Sequence, residues 1–531
     1  MKNIIDKSLN IVFGLILSLI FVLLLFFHSI DYVTKKTFLL PNFGIVSLIL
    51  ITVLLLFTIY YYYKKHASIP INKLHLNIDK IVGIFSIFLF LGQIYVFYNI
   101  FFLTDWDVAI IRNNANFIIN NDYESIEGVG SEYFSVYPNN LLLTFINALI
   151  LKLNSVVGIF KGEYSMMSCT VINCVINTLT CWLVYKTIAL FSKKHIALLG
   201  YIIAVLLFGI SPWSVIFYSD SVGIILPMLS IYLYSNDNKK CKHINKLLSV
   251  ISAMVGYFIK PQCVIVLIAF IIIELTNLLK DFNIKRLIKP ASLILASILC
   301  FCVLNTTINF TAQKIGYEID ETRKLGATHF FMMGLNAEDG GVYSQNDINY
   351  SRYFSTVEER QKANIEVAVD RIKTLGVGGL AKHISKKMLI AFNDGTFAWD
   401  VDGTFFKFLQ EDLNSKMSPF LKSIYYKGGT RYDLFHLFSQ TIWLFVLIFT
   451  FASVFEKPHN DCTKQQTNII KLTIIGLILF EVLFEVRARY LYIYTPFFAI
   501  LATMGFANFF TKFNSIICKL NKKTNENIDI T

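Results

Sequence analysis

The stretch Ile81–Asp107, IVGIFSIFLFLGQIYVFYNIFFLTDWD, decides the class of fold. No charged side chain occurs from Ile81 to Thr104. A helix over that run is long enough to cross the roughly 30 Å hydrocarbon core of a bilayer. The span then runs without a spacer into Asp105 and Asp107. Carboxylates at the mouth of a span are costly unless they serve water, a cation or a substrate. Beyond a polar run comes Glu132–Asn140, EYFSVYPNN, in which Tyr133, Phe134 and Tyr137 precede Pro138. That pattern suits a rigid turn at an interface. Two readings stand side by side: the loop of a membrane-embedded enzyme, or a capped helix end followed by a surface loop.

The rest of the chain has the same character. Of 531 residues, 55% are hydrophobic, 15% aromatic and only 16% charged, which excludes a soluble enzyme. The formal charge of +12 sits as short Lys and Arg clusters between apolar runs, the signature of orientation in a membrane and not of nucleic-acid binding. The first run, Ile11 to Phe27, follows Lys2 and Lys7 and lacks a small-residue cleavage site after it, so it is expected to stay as an anchor. None of the nine cysteines has metal-site spacing with a partner His, so neither a disulfide framework nor a Cys-based zinc site is expected.

Spans are expected near 11–27, 43–63, 81–103, 166–190, 196–213, 220–235, 246–259, 262–279, 288–308, 438–455, 467–485 and 490–511. The fold class is therefore an all-α polytopic membrane protein of about twelve transmembrane helices. Lys64, Lys65, Lys73 and Lys80 place the second loop in the cytoplasm, and Asp105 and Asp107 outside. If Leu141–Leu153 crossed, Lys193, Lys194, Lys239, Lys240 and Lys242 would fall outside, against the positive-inside rule. Read instead as a short juxtamembrane helix, it leaves both termini cytoplasmic. The chain then divides into an N-terminal two-helix addition (1–80), a membrane core (81–308) with a first outer loop (104–165), a large outer segment (309–437) and C-terminal membrane helices with a cytoplasmic tail (438–531).

The large segment looks folded. From Thr356 to Leu375, Ile365, Val369 and Ile372 share one helical stripe, expected to pack on the membrane surface or the first outer loop, and Gly376 suits a C-cap.

Four constellations carry chemistry. Asp105 or Asp107 can take a hydroxyl proton, one of them alternatively capping the helix that starts near Val108. Lys260, alone between apolar runs in GYFIKPQ, suits an anionic headgroup or a snorkelling helix end. Arg487 and Arg489 in FEVRARYLY suit a phosphate, or Arg487 and Glu485 pair to fix the hairpin. His329 is a fourth candidate, by itself more often structural.

The order of these features resembles the C-type glycosyltransferase superfamily, in its protein O-mannosyltransferase and lipid A aminoarabinose transferase branch. The resembling pieces are a span, the DWD acidic pair, Tyr137-Pro138-Asn139-Asn140, a juxtamembrane helix, Ile259-Lys260-Pro261 and a terminal Arg487-Ala488-Arg489-Tyr490. The chain departs from the pattern at Tyr137, where the family carries Lys, and at Asn139, where it carries a second proline. The resemblance implies an inverting membrane glycosyltransferase. It would move a sugar from a polyprenyl-phosphate donor to a hydroxyl acceptor of the cell envelope, on the outer face. Asp107 or Asp105 would be the base; Lys260, Arg487 and Arg489 would hold the donor phosphate; Glu132, Tyr137, His329 and Tyr490 would be candidate substrate contacts. No cofactor is implied, with a divalent metal left open. The rival readings are a lipid-linked sugar flippase, which needs no general base, and a polysaccharide polymerase or ligase.

Overall fold

The computed structural model describes residues 2–26, 39–66, 77–236, 241–280, 283–403, 407–408, 417–456 and 461–528. The fold is all-α and polytopic. In chain order the helices are α1 (Lys2–Phe26), α2 (Asn42–His66), α3 (Ile78–Asn99), α4 (Asp107–Asn120), α5 (Tyr123–Ser125), α6 (Ser131–Val136) and α7 (Leu141–Val157). They continue with α8 (Met167–Phe191), α9 (Lys194–Ala204), α10 (Ser219–Gly223), α11 (Ile225–Ser235), α12 (Lys242–Ile259), α13 (Ile265–Lys280) and α14 (Ile284–Ile315). The large segment contributes α15 (Ala327–Gly334), α16 (Gln345–Tyr353), α17 (Val357–Phe392) and α18 (Ser418–Tyr425), and α19 (Tyr432–Ala452), α20 (Asp461–Leu483) and α21 (Thr495–Ile528) close the chain. The strands among the described residues are a two-residue pair, β1 (Leu103–Thr104) and β2 (Lys407–Phe408), antiparallel with Leu103 opposite Phe408.

Among the described residues ten helices are long and apolar enough to cross a membrane. Nine coincide with expected spans, and the tenth is Pro138–Val157. Leu141–Leu153 is thus longer than its apolar core suggested, because a 3-10 turn at Pro138–Asn140 leads into α7 and the helix runs on to Gly158 in the left-handed conformation. The spans expected at 196–213 and 220–235 fall on shorter elements, an apolar helix at Lys194–Gly209 and the 11 residues of α11, whereas 246–259 lies within the 18 residues of α12 and ends with it at Ile259.

The ends of α3 and α8 show how the chain passes through α7. Asp79, in the first turn of α3, forms ion pairs with Lys194 and, at 3.5 Å, with Lys186, and accepts from Tyr185 at 2.9 Å. At the other end, the rings of Tyr98 and Phe101 lie 6.4 and 6.0 Å from that of Tyr164, just before α8. Helices α3 and α8 are therefore antiparallel neighbours, and residues 100–166 leave and rejoin one end of the bundle. That excursion includes α4 and α7, which pack together and turn Asn114, Thr144 and Asn147 inward while Leu149, Leu153 and Val156 point out.

Helices α1 and α2 are tied to the core by buried polar contacts. Asp6 pairs with Lys464 at 2.7 Å, and Asn42 donates to Asn393 at 2.7 Å while accepting from Gln440 at 2.9 Å. In the large segment α17 forms as expected, capped by Thr356, whose hydroxyl accepts from Glu359 N. Gly376, at φ 59°, kinks it, and it continues to Phe392 instead of ending. The stripe Ile365, Val369, Ile372 is exposed; the buried face is Arg360, Ala363, Asn364 and Ala368, with Arg360 and Asn364 bonded to Ser351 of α16 and Ala368 packed with Met332 and Leu335.

Candidate active site

One end of the bundle holds a cavity of about 1310 Å³, walled by α4, the Tyr137–Asn140 turn, Tyr218–Ser219, the end of α12, the middle of α14, α15 and α16, and the hairpin Phe484–Tyr490. Asp107, Tyr137, Lys260, His329, Arg487, Arg489 and Tyr490 all line it. Asp105 and Glu132 do not: Asp105 is exposed, and Glu132 pairs at 3.2 Å with Arg323 on the surface.

The two aspartates diverge because Trp106 between them takes φ 66°, a left-handed conformation that costs a bulky residue of order 1–3 kcal/mol. Its indole is held edge-on to Tyr218 (centroids 4.7 Å apart), beneath the Arg489 guanidinium at 4.5 Å, and it donates to the Thr104 hydroxyl. Neither aspartate caps α4: the N-cap is Trp106, without a side-chain bond, and Asp107 is the first helical residue. There its charge faces the positive helix end, and Oδ2 accepts from the Tyr218 hydroxyl at 3.2 Å.

The YPNN turn serves the same point. Asn140 donates to the Tyr133 phenol at 2.7 Å. Burial, then the charge of Asp107, push that phenol well above its ordinary range, so it stays a hydrogen-bond donor. Tyr218 is supplied by the loop after α9, which α8 pins. Asn173 donates to the Ser214 and Ile216 carbonyls at 3.1 and 3.0 Å, and Thr170 to Val215 O at 3.0 Å.

The three cations are not bare. Lys260, which ends α12 ahead of Pro261, forms an ion pair with Asp220, and its ammonium lies 4.1 Å from the Tyr490 ring centroid. Asp220, fully buried in α10, also faces Arg489 Nη1 at 3.6 Å. Asp402 takes both arginines, Oδ1 at 3.4 Å from Arg487 Nη1 and Oδ2 at 3.2 Å from Arg489 Nε. Glu485 completes the set, 3.4 Å from Arg487 Nε and accepting from Tyr490 OH at 3.0 Å. Three cations thus meet three carboxylates. The pairing of Arg487 with Glu485 is visible in the sequence. Asp220 and Asp402 are not, because they lie 40 and 85 residues from their partners; the only local signals are the DS and DVDG turns.

Backbone strain delivers Asp402. Phe397 and Ala398 both have positive φ, 56° and 62°. Asp394 holds them by accepting from Thr396 N at 2.7 Å and Ala398 N at 2.6 Å, and Trp213 Nε1 donates to Thr396 O. The hairpin carrying the arginines is braced by Lys387, whose ammonium donates to Gly334 O, Val482 O and Phe484 O at 2.9, 2.8 and 2.6 Å. His329 is wholly buried in the cavity wall, Nδ1 lying 2.7 Å from Ser351 Oγ, and burial pushes it down to about 4, so it is neutral. No group of three or more His, Cys, Asp or Glu among the described residues could hold a metal ion.

Fold and cavity together define a polytopic α-helical integral membrane protein with a charged, partly apolar chamber at one end of its helices. A family model described as "Conserved hypothetical integral membrane protein" matches residues 1–509, and the chain belongs to that family. No curated protein matches it.

Proposed function

We propose that this protein is a membrane glycosyltransferase that moves a sugar from a polyprenyl-phosphate donor to a hydroxyl acceptor of the cell envelope. The observation that carries the reading is that one cavity holds Asp107 together with Lys260, Arg487 and Arg489, and continues along an apolar wall of Phe258, Phe301 and Ile308. A base, a phosphate site and a path for an isoprenoid tail are what such a transfer needs, and a flippase has no use for the base. Asp107, oriented by Tyr218, takes the acceptor hydroxyl proton as the oxygen attacks the anomeric carbon, and the carbon–phosphate oxygen bond breaks with inversion. The leaving phosphate meets the Nη2 edges of Arg487 and Arg489, which have no hydrogen-bond partner among the described residues. Asp220, Asp402 and Glu485 orient those guanidiniums and do not consume them.

Cells lacking the protein, complemented with wild type or Asp107→Asn, test this by mass spectrometry of envelope glycans and lipids. The variant should lower transfer about 10²–10⁴-fold, the range for loss of a general base, with protein level unchanged. Wild-type product from Asp107→Asn would leave the flippase ahead. The reading also places the cavity outside, both termini inside and twelve passes between them. Labelling of single cysteines from outside should reach position 160 and miss position 194; the reverse pattern would invert the layout.

A further inference from the structure

We infer that the cavity has a second, anion-binding wall, opposite in character to the charge-matched cations, and that it receives a hydroxyl acceptor bearing phosphate or carboxylate groups. This rests on the transferase reading for the word acceptor, but not for the anion. At the hairpin every cation faces a carboxylate, which leaves the outward Nη2 edges of the arginines for the donor's single phosphate and no further cation for a second polyanion. The wall built by the large segment differs. Lys324, Arg352 and Arg360 all line the cavity, and none has an ion-pair partner among the described residues. Glu321 is the carboxylate lining the same wall, and the neighbouring Asp320 is occupied by Thr322 N and Oγ1 at 2.9 and 2.6 Å.

Arg360 is the informative member. Only 4% exposed, it donates to Ser351 O, Thr322 O, Lys324 O and Phe354 O at 2.9, 2.7, 3.1 and 2.9 Å. Its hydrogen bonds all go to carbonyls, and Asp320, the carboxylate that acts on it, does not close to an ion pair. A buried cation kept that way raises the potential of the surface above it. The chain it clamps, Thr322 to Lys324, leads directly into α15, whose N-cap Gly326 has no side chain to cap it. Gly326, Ala327 and Thr328 line the cavity, so the positive end of α15 adds to the same field. Arg352 and Lys324 are exposed and long enough to close on a ligand. The apolar wall of α12 and α14 cannot hold such a ligand. An acceptor arriving from water would cross the Lys324–Arg352 wall with its anions paired there and its hydroxyl toward Asp107.

The test uses the full chain in nanodiscs of zwitterionic lipid and three probes at low ionic strength: oligo(glycerol phosphate), uncharged maltohexaose, and undecaprenyl phosphate. The first should bind and maltohexaose should bind far more weakly. Lys324→Ala/Arg352→Ala should weaken oligo(glycerol phosphate) at least about tenfold, as loss of charge-assisted contacts does, and leave undecaprenyl phosphate unchanged. The wall is overturned if the double variant binds oligo(glycerol phosphate) as wild type does, if maltohexaose binds equally well, or if the double variant loses undecaprenyl phosphate instead. Undecaprenyl phosphate binding that is indifferent to Arg487→Ala, with the other results as expected, supports the wall and removes the donor reading alone.

Discussion

Asp402→Asn isolates the ion network from the rest of the cavity. One carboxylate separates two guanidiniums, at 3.4 Å from Arg487 and 3.2 Å from Arg489, and all three side chains are under a fifth exposed. At an effective dielectric near 20, each contact corresponds to roughly 5 kcal/mol of attraction before desolvation is counted. Asn keeps the shape and one oxygen, so no cavity opens; only the charge is removed. Breaking a buried pair from one side costs about 3–5 kcal/mol, because the surviving charge has nowhere to go. Here Asp220 and Glu485 still face the arginines, which puts the expectation at the lower end. Thermal unfolding of detergent-purified protein, followed by tryptophan fluorescence, should show a loss of about 3 kcal/mol. Asp105→Asn, exposed and outside the cavity, should stay within about 0.5 kcal/mol. The decisive measurement is Asp402→Asn/Arg489→Gln. It leaves Lys260 with Asp220 and Arg487 with Glu485, so it should be more stable than Asp402→Asn alone. Additive losses, or an Asp402→Asn protein as stable as wild type, would refute the network as described.

Two further outcomes follow from the packing. His329 is pushed down to about 4 from an ordinary value of 6.5, so the unfolded chain binds its proton first. The stability it contributes is full above pH 6.5 and is lost as pH falls toward 4, up to about 3 kcal/mol; His329→Gln should flatten that part of the stability–pH curve, and an unchanged curve would show His329 accessible to protons. Gly505→Ala should destabilise by about 1–3 kcal/mol or more, since its Cβ would meet the Phe449 carbonyl on α19 and the N of Ser453 just after it, which are backbone and cannot rotate away; near-wild-type unfolding would mean that α19 and α21 are less tightly crossed.

Hydropathy along the sequence was enough for the class of protein and for nine of the spans, because a 20-residue apolar run is a local property and the bilayer imposes its length. Arg487, Arg489, Lys260 and Asp107, which line one cavity, stood out in the sequence for a similar reason: a charge inside or beside an apolar run is conspicuous wherever the chain folds. Lengths of α9 and α11 were not legible, since apolar residues continue through their non-helical ends, such as the Pro212–Val215 turn. Nor could the sequence separate Asp105 from Asp107; that was decided by the strained Trp106 wedged between Tyr218 and Arg489. Asp220 and Asp402 reach their cations only because α8 pins one loop and Asp394 holds another in a left-handed turn. Charge pairing across 40 to 85 residues is a product of packing. Whether a buried cation closes on a carboxylate, as Lys260 does on Asp220, or is held by backbone carbonyls, as Arg360 is, depends on which loops the helices bring beside it, and no short sequence window contains both partners.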